Sequence, residues 1–549
     1  MTDESPSEEI LDAIVFEDSN KQPQILAIIL TILLLGSTVF YFMQSDDKNT
    51  GKGLFLDDYF FSSSDVFVTD SNGMPINAKP IEMKFFASDV GEAAPEPSVG
   101  ITSSGCVFFI ALEKVMRSCD GGITWAEVQG PACSPTTSDP YGWVDPITDR
   151  VFGVQMIGLE TSWICWSDND GQSWLGNPHD SGTTPINDHI KLATGPWTNE
   201  GYGALANGNP LAFETAVYYC YNKLAGIFCF TSFDGGATFE AGGQIIGLAT
   251  TNGGLHGAIS TAPDGTVYVT PRVETPTVIV SKDNGFSWFE RTMGEDVSTP
   301  YPRKNSEVAT DTASNAYHVW TGADEGIYLS RSIDSGLTWE QDSLRASPIQ
   351  VISTAFPQID AGDPGKFAVT YLGSENVSLL GTPDIDGNPW DGNGHYAPNE
   401  VHYHLYVTFS FNALDEEPIF HTRRISTDPV QVGAICLNSG DCRSDQGGSN
   451  RNLLDFNDLH IDREGRVYIA MADGCTGECA TSEAPTPADS RDNRGFMYML
   501  EYGPSLLEEY GILNSLNPDA DSAPTDDSYL KINSEVIAVR EDFDDDLIL

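Results

Sequence analysis

Short runs of alternating apolar and polar residues, each broken by a turn, recur along most of the chain. Leu255 to Thr270 reads LHGAISTAPDGTVYVT, Val308 to Trp320 reads VATDTASNAYHVW, and Leu459 to Ala470 reads LHIDREGRVYIA. Apolar positions of period two around Asp-Gly or Glu-Gly predict β-hairpins. One run breaks the pattern. From Ile25 to Met43 the chain reads ILAIILTILLLGSTVFYFM, nineteen residues without a charge, the length a helix needs to cross a bilayer. The 24 residues before it are acidic and no A-x-A site follows, which favours an uncleaved anchor over a cleaved signal peptide. Residues 44–57 read as a polar stalk, and residues 506–549, with NPDADSAPTDD and EDFDDD, as an acidic C-terminal extension.

The hairpins are organised by a repeat. An eight-residue phrase occurs five times: SCDGGITW from Ser118, SDNDGQSW from Ser167, SFDGGATF from Ser232, SKDNGFSW from Ser281 and SIDSGLTW from Ser332. A period of roughly 50 residues fits one four-stranded β-propeller blade per repeat. Asp120, Asn169, Asp234, Asp283 and Asp334 are placed to accept from the amides of a turn, and the Gly two residues on permits a left-handed backbone. Two further hairpin units without the phrase, about Phe356 to Thr422 and about Asp455 to Tyr498, bring the total to seven blades over residues 58–505, with six as the alternative.

The phrase S-x-D-x-G-x-[ST]-[WF] resembles the Asp-box, or BNR repeat, of sialidases and related propellers, over roughly residues 95 to 505. The resemblance implies an all-β propeller with the boxes between the third and fourth strands of a blade, away from the central pocket, and hence structural. Val432 to Cys475 resembles a phrase of uncharacterised sialidase-like propellers of archaea and bacteria. The activity it implies, if any, is exo-sialidase-like glycoside hydrolysis. The F/Y-R-I-P phrase that carries the first carboxylate-binding Arg of sialidases does not occur here; Tyr301-Pro302-Arg303-Lys304 is a loose echo.

Composition sharpens the picture. The 52 Gly and 32 Pro suit many turns, and 40% apolar residues suffice for a large core. Against 80 Asp+Glu stand 28 Lys+Arg, a formal charge of −52, which disfavours nucleic acid as a partner and suits a halophilic or marine surface. Lys21 precedes the apolar run while Lys48 and Lys52 follow it, so basic residues leave its orientation open. All ten cysteines follow it in close pairs: Cys106 with Cys119, Cys133 with Cys165, Cys220 with Cys229, Cys436 with Cys442, and Cys475 with Cys479. Short-range pairs predict disulfides in an oxidising compartment, hence a propeller outside a cell membrane on a single-pass anchor. Zinc is the alternative for the last two pairs, but no second ligand set lies beside them, so no metal site is assigned. The loop Asp384 to Pro398 has Asp, Asn and Gly spacing that leaves a bound calcium open, although it departs from the D-x-D-x-D-G pattern.

Propellers bind ligands where the innermost strands meet. Polar residues predicted there are Asp139, Trp143 and Asp145 in the second unit, Asn207 and Asn209 in the third, and His256 in the fourth. The fifth adds Arg303, Lys304 and Glu307, and the sixth Gln358. The seventh unit is densest, with Arg451, Asp455, Asn457, Asp458 and His460 in RNLLDFNDLHID. The candidate catalytic set is Asp455, Asp458, His460 and Glu307, and the candidate ligand-binding set Arg451, Arg303, His256 and Trp143. Two functions remain: glycan recognition or hydrolysis, and a non-catalytic propeller that binds a surface protein or scaffolds the envelope. No cofactor is assigned.

Overall fold

The computed structural model describes residues 66–514 and 516, apart from segments 130–132, 134–138, 159, 181–186, 224–225, 240, 248–254, 272–274, 295–305, 376–400, 434, 436–450 and 487. Within strands, the side chains of residues 180, 246, 247, 255, 256 and 258 are also left out. Every described residue belongs to one compact unit. The apolar run 25–43 and the stalk therefore lie outside the described residues. Among those described, no helix is long and apolar enough to cross a membrane.

Seven separate antiparallel sheets follow one another along the chain. Their innermost strands are Ser98–Ile101, Tyr141–Val144, Asp188–Gly195, Leu255–Thr261, Glu307–Thr310, Ser353–Ala361 and Asp458–Ile461, for blades 1 to 7 in order. Each packs against the next and the seventh against the first, closing the ring. The count is seven rather than six. The core agrees, because among the described residues one large apolar cluster lies at each of the seven interfaces between neighbouring blades. Since both faces of every sheet are covered, strands such as Val107–Ala111 and Phe367–Ser374 are buried at every position.

Ring closure uses the beginning of the described chain. Lys84–Ala93 pairs with Arg494–Pro504 and supplies the outermost strand of blade 7, while Val66–Thr69 adds a strand outside Phe420–Arg424 of blade 6. At the other end, Ile512–Leu513 pairs with Gly503 and Pro504, and Leu506 and Leu513 are buried. The propeller thus runs past residue 505 into the segment assigned to the extension.

All five repeats form the same turn between the third and fourth strands. In blade 3, Ser232 donates to Asp234 Oδ1 at 2.8 Å and accepts from the Gly236 amide at 2.8 Å. Asp234 accepts from the Thr238 amide and hydroxyl, both at 2.8 Å. The bonds recur at Asp120, Asn169, Asp283 and Asp334, and the third residue after each opening pair is a Gly with φ between 73° and 92°. Asp234→Ala is expected to lower stability by about 1 kcal/mol, because the residue is exposed and water replaces part of what is lost. Ser232→Ala, which strands a buried amide, is expected to cost more, about 1–3 kcal/mol. Urea titration of the two variants checks the order.

A second regularity surrounds the axis. The innermost strand of a blade is an edge, and its free amides need partners. In blades 1, 5 and 7 a side chain four positions before the turn that ends the innermost strand accepts from the next blade. Ser98 Oγ accepts from the Gly142 amide at 2.8 Å, Glu307 Oε2 from Ile359 at 2.9 Å, and Asp458 Oδ2 from Val99 at 2.9 Å. Asp360 accepts from the Ile461 amide, and Asp139 from His189. Ser260 and Thr261 of blade 4 donate to carbonyls of Val308 and Thr194. Every junction between blades therefore carries a bond from a side chain of one blade to the backbone of its neighbour, accepted at five junctions and donated at the other two.

The disulfides Cys106–Cys119, Cys133–Cys165, Cys220–Cys229 and Cys475–Cys479 are formed; Cys436 and Cys442 lie outside the described residues. Cys220 and Cys229 are directly opposite each other in one hairpin. Reduction is expected to lower the unfolding midpoint, each bridge contributing on the order of 2 kcal/mol. An unchanged midpoint after verified reduction would contradict this.

Candidate functional site

Titratable side chains gather at and near the starts of several innermost strands. Asp458 and Glu307, both 4% exposed, begin their strands. Two residues further into blade 7, the His460 imidazole lies between two carboxylates, with Nε2 3.6 Å from Asp458 Oδ1 and Nδ1 3.5 Å from Asp360 Oδ2. Trp143 meets the same imidazole edge to face at 5.1 Å and donates to Thr194 Oγ1 at 2.9 Å. His460 and Asp360 keep 20% and 24% of their side chains accessible.

Burial opposes the imidazolium of His460, but Asp458, Asp360 and Glu307 outweigh it and push its pKa up to about 9. Burial raises the Asp458 carboxyl above its ordinary range, against His460, the Val99 amide and Lys191. Glu307 is raised well above, first by burial and then by Asp458. The arrangement therefore holds an imidazolium close to carboxyls whose pKa burial raises.

Asp455 and Arg451 form a second group on the connection from blade 6. Arg451 Nη1 pairs with Asp455 Oδ1, and Asp455 Oδ2 lies 3.7 Å from His189 Nε2. Asp139, whose carboxyl burial and then Asp188 raise well above its ordinary range, accepts from the His189 amide at 3.2 Å. The two groups meet through Lys191, 4% exposed. From blade 3 its ammonium reaches to 3.3 Å from the centre of the Phe456 ring and 4.5 Å from that of Tyr141. Burial brings its pKa down to about 8 against the pull of Glu96, Asp458, Asp139 and Glu307.

Of the residues singled out in the sequence, Asp458, His460, Glu307 and Trp143 come together, and Asp455 with Arg451 stands beside them. Arg303 and Lys304 lie outside the described residues, as does the side chain of His256, although its backbone is in the innermost strand of blade 4. Asn207 and Asn209 are not on an innermost strand; Asn207 ends a short helix, Gly201–Asn207, in a connection of blade 3, and Asn209 follows its cap. Asp145 caps its own turn, accepting from the Ile147 amide and from Thr148 and Thr215. Lys191, Asp360, Tyr141, Glu96 and His189 were missed. The signal for Lys191 was a single basic residue in the apolar run DHIKLATG of a chain with 12 lysines.

Among the described residues, no group of three or more His, Cys, Asp or Glu is arranged to hold a metal ion. The loop 384–398 lies outside them. A groove lined by Asn177, His179 and Phe239 sits between the outer strand of blade 2 and the repeat turn of blade 3, away from the axial residues.

No family model matches the chain, and no curated protein matches it. Among solved structures, a protein of unknown function from Dyadobacter fermentans is 12% identical, covers 77% of this chain and 99% of its own, and has a TM-score of 0.36. A leech intramolecular trans-sialidase is 11% identical over 80% of this chain and 70% of its own, at 0.33. An Aleuria aurantia lectin is 11% identical over 63% and 98%, at 0.34. The blade count and the site rest on the strand ladders and contacts above.

Proposed function

We propose that this protein is a membrane-anchored, extracellular propeller that recognises glycans at the axial end where its innermost strands begin. The observation that carries the reading is the meeting of the half-buried Trp143 ring with the His460–Asp360 pair, an aromatic face beside charged donors and acceptors, which is the chemistry sugars require: C–H groups against a ring and hydroxyls against a carboxylate. Recognition is favoured over hydrolysis because Asp458 and Glu307 each already accept an amide of the neighbouring blade and are nearly inaccessible. The hydrolytic reading draws on Glu307, a carboxyl whose pKa burial and Asp458 raise well above its ordinary range, the direction a general acid requires. The membrane anchor rests on the run 25–43, and the outside placement on the disulfides.

The test is a glycan-array and polysaccharide-hydrolysis screen on the full-length protein. Binding that Trp143→Ala and Asp360→Asn each reduce at least tenfold, without new reducing ends, is the expected result. Release of reducing ends that Glu307→Gln abolishes would establish hydrolysis instead. Absence of binding by any glycan would overturn the reading and leave the surface-protein partner.

A further inference from the structure

We infer that the groove between blades 2 and 3 is a second carbohydrate subsite, at the periphery of the ring, which takes one pyranose ring at the end of a glycan. The inference rests on the glycan reading above for its ligand class and adds to it a site away from the axis.

The groove opens where the repeat departs from its own pattern. Four of the five phrases end in Trp, and the third ends in Phe239. In the first two blades the indole ties its turn to the outer edge of the preceding blade. Trp125 Nε1 donates to Ser88 Oγ at 2.8 Å, and Trp174 Nε1 to the Val128 carbonyl at 2.8 Å. Phe239 has a smaller ring and no N–H. The tie there runs the other way, from Asn177 Nδ2 on the outermost strand of blade 2 to the Ala237 carbonyl at 2.9 Å. Beside that tie remains a volume of about 180 Å³, lined by Ile164, Asn177, Pro178, His179, Thr238 and Phe239 among others.

Both kinds of surface that a sugar ring needs meet in that volume. The Asn177 amide is fixed across the gap by its bond to Ala237, which uses one of its two hydrogens. Its second hydrogen and its oxygen have no other partner among the described residues, and a hydroxyl, at once acceptor and donor, suits both. Thr238 gives its own proton to Asp234 Oδ2 at 2.8 Å, so its oxygen meets a ligand as an acceptor. Pro178, Ile164 and the Phe239 ring offer apolar surface for C–H groups. The His179 ring is clamped edge to face by Tyr219, Phe230 and Phe239 at 5.1, 5.6 and 5.5 Å, which leaves it little freedom to turn and fill the gap. The volume lies below the roughly 300–1,000 Å³ of drug-sized sites, so it admits a single ring and not a longer chain.

The experiment titrates the full-length protein with the methyl glycosides of glucose, galactose and mannose, read by saturation-transfer NMR. Trp143→Ala is the background, because it removes the aromatic ring of the axial site. At least one glycoside is expected to bind in that background. Adding Phe239→Trp, which restores the indole of the other four repeats and fills the groove, should weaken that glycoside about tenfold or more. Adding Asn177→Ala instead, which leaves the groove open but takes away its amide, should weaken it by a similar factor, as loss of a hydrogen bond of about 1.4 kcal/mol does. Thermal melts check that each variant is folded. Unchanged binding by a folded Phe239→Trp variant would overturn the inference. So would binding by the wild type that Trp143→Ala alone abolishes, a result that leaves the axial reading standing. No binding of any of the three glycosides by the wild type would overturn the groove alone, since the axial reading is tested on whole glycans.

Discussion

A chain begun at Ser98, lacking the strands Val66–Thr69 and Lys84–Ala93, is expected to show no cooperative unfolding transition. Lys84–Ala93 is the outermost strand of blade 7, and it brings Met83, Phe85 and Phe86, each at most 1% exposed, into the interfaces of blade 7 with blades 6 and 1. Fully burying such side chains contributes about 1.5–3 kcal/mol each. Three of them approach the whole stability of a typical domain, about 5–15 kcal/mol. Polar ties are lost as well: Arg494 pairs through both its Nε and Nη2 with Asp89, at 2.7 and 3.0 Å, and Trp125 of the first repeat donates to Ser88 at 2.8 Å. A chain begun at Val66 keeps all of this and is expected to unfold with the midpoint of the full-length protein. Thermal melts of the two truncations decide the matter, and a cooperative transition in the shorter one would show that the ring closes without its N-terminal strand.

Asp458→Ala is expected to destabilise by about 3–5 kcal/mol, the cost of breaking a buried ion pair by removing one partner. The change takes away the acceptor of the Val99 amide and leaves the His460 imidazolium and the Lys191 ammonium without their shared carboxylate. Ser98→Ala removes an equivalent, neutral acceptor one junction further round and should cost about 1–3 kcal/mol. The difference between the two measures the charge. Equal losses in denaturant titrations would reduce Asp458 to a backbone acceptor. His460 supplies the pH signature. Its pKa is raised from an ordinary 6.5 to about 9 in the folded protein, so its contribution is fully present below pH 6.5 and is lost as pH rises through about 9, roughly 3 kcal/mol in all. The stability of wild type minus that of His460→Gln, followed from pH 6 to 10, should fall to zero over that window. A difference that is flat or grows with pH would contradict the pairing with Asp458 and Asp360.

Local chemistry was written in the sequence wherever one short segment satisfies itself. The repeat turn is closed by residues no more than four apart, as Ser232, Asp234, Gly236 and Thr238 are, so five copies were visible as a phrase and its period gave the blade. Close cysteine pairs were legible for the same reason, since Cys220 and Cys229 face each other across a single hairpin. The axial cluster was half legible. Asp458, His460 and Glu307 stand at strand starts within recognisable hairpins, while Lys191 and Asp360 look like ordinary strand residues. The third innermost strand was sought at Asn207 and Asn209 because the helical insert Gly201–Asn207 pushes the hairpin Ala216–Ser232 away from its inner partner.

What the sequence by itself determined is therefore the unit: an all-β blade, its repeat turn and its disulfides, all governed by contacts between near neighbours in the chain. Only the tertiary structure decided how the units close and which charges face one another. Lys84–Ala93 joins Arg494–Pro504 across some 400 residues, and Asp458 accepts from Val99 across 359. No spacing rule encodes such pairings, because they arise when a seven-membered ring brings the edges of its first and last blades together and leaves their amides and charges to be satisfied by one another.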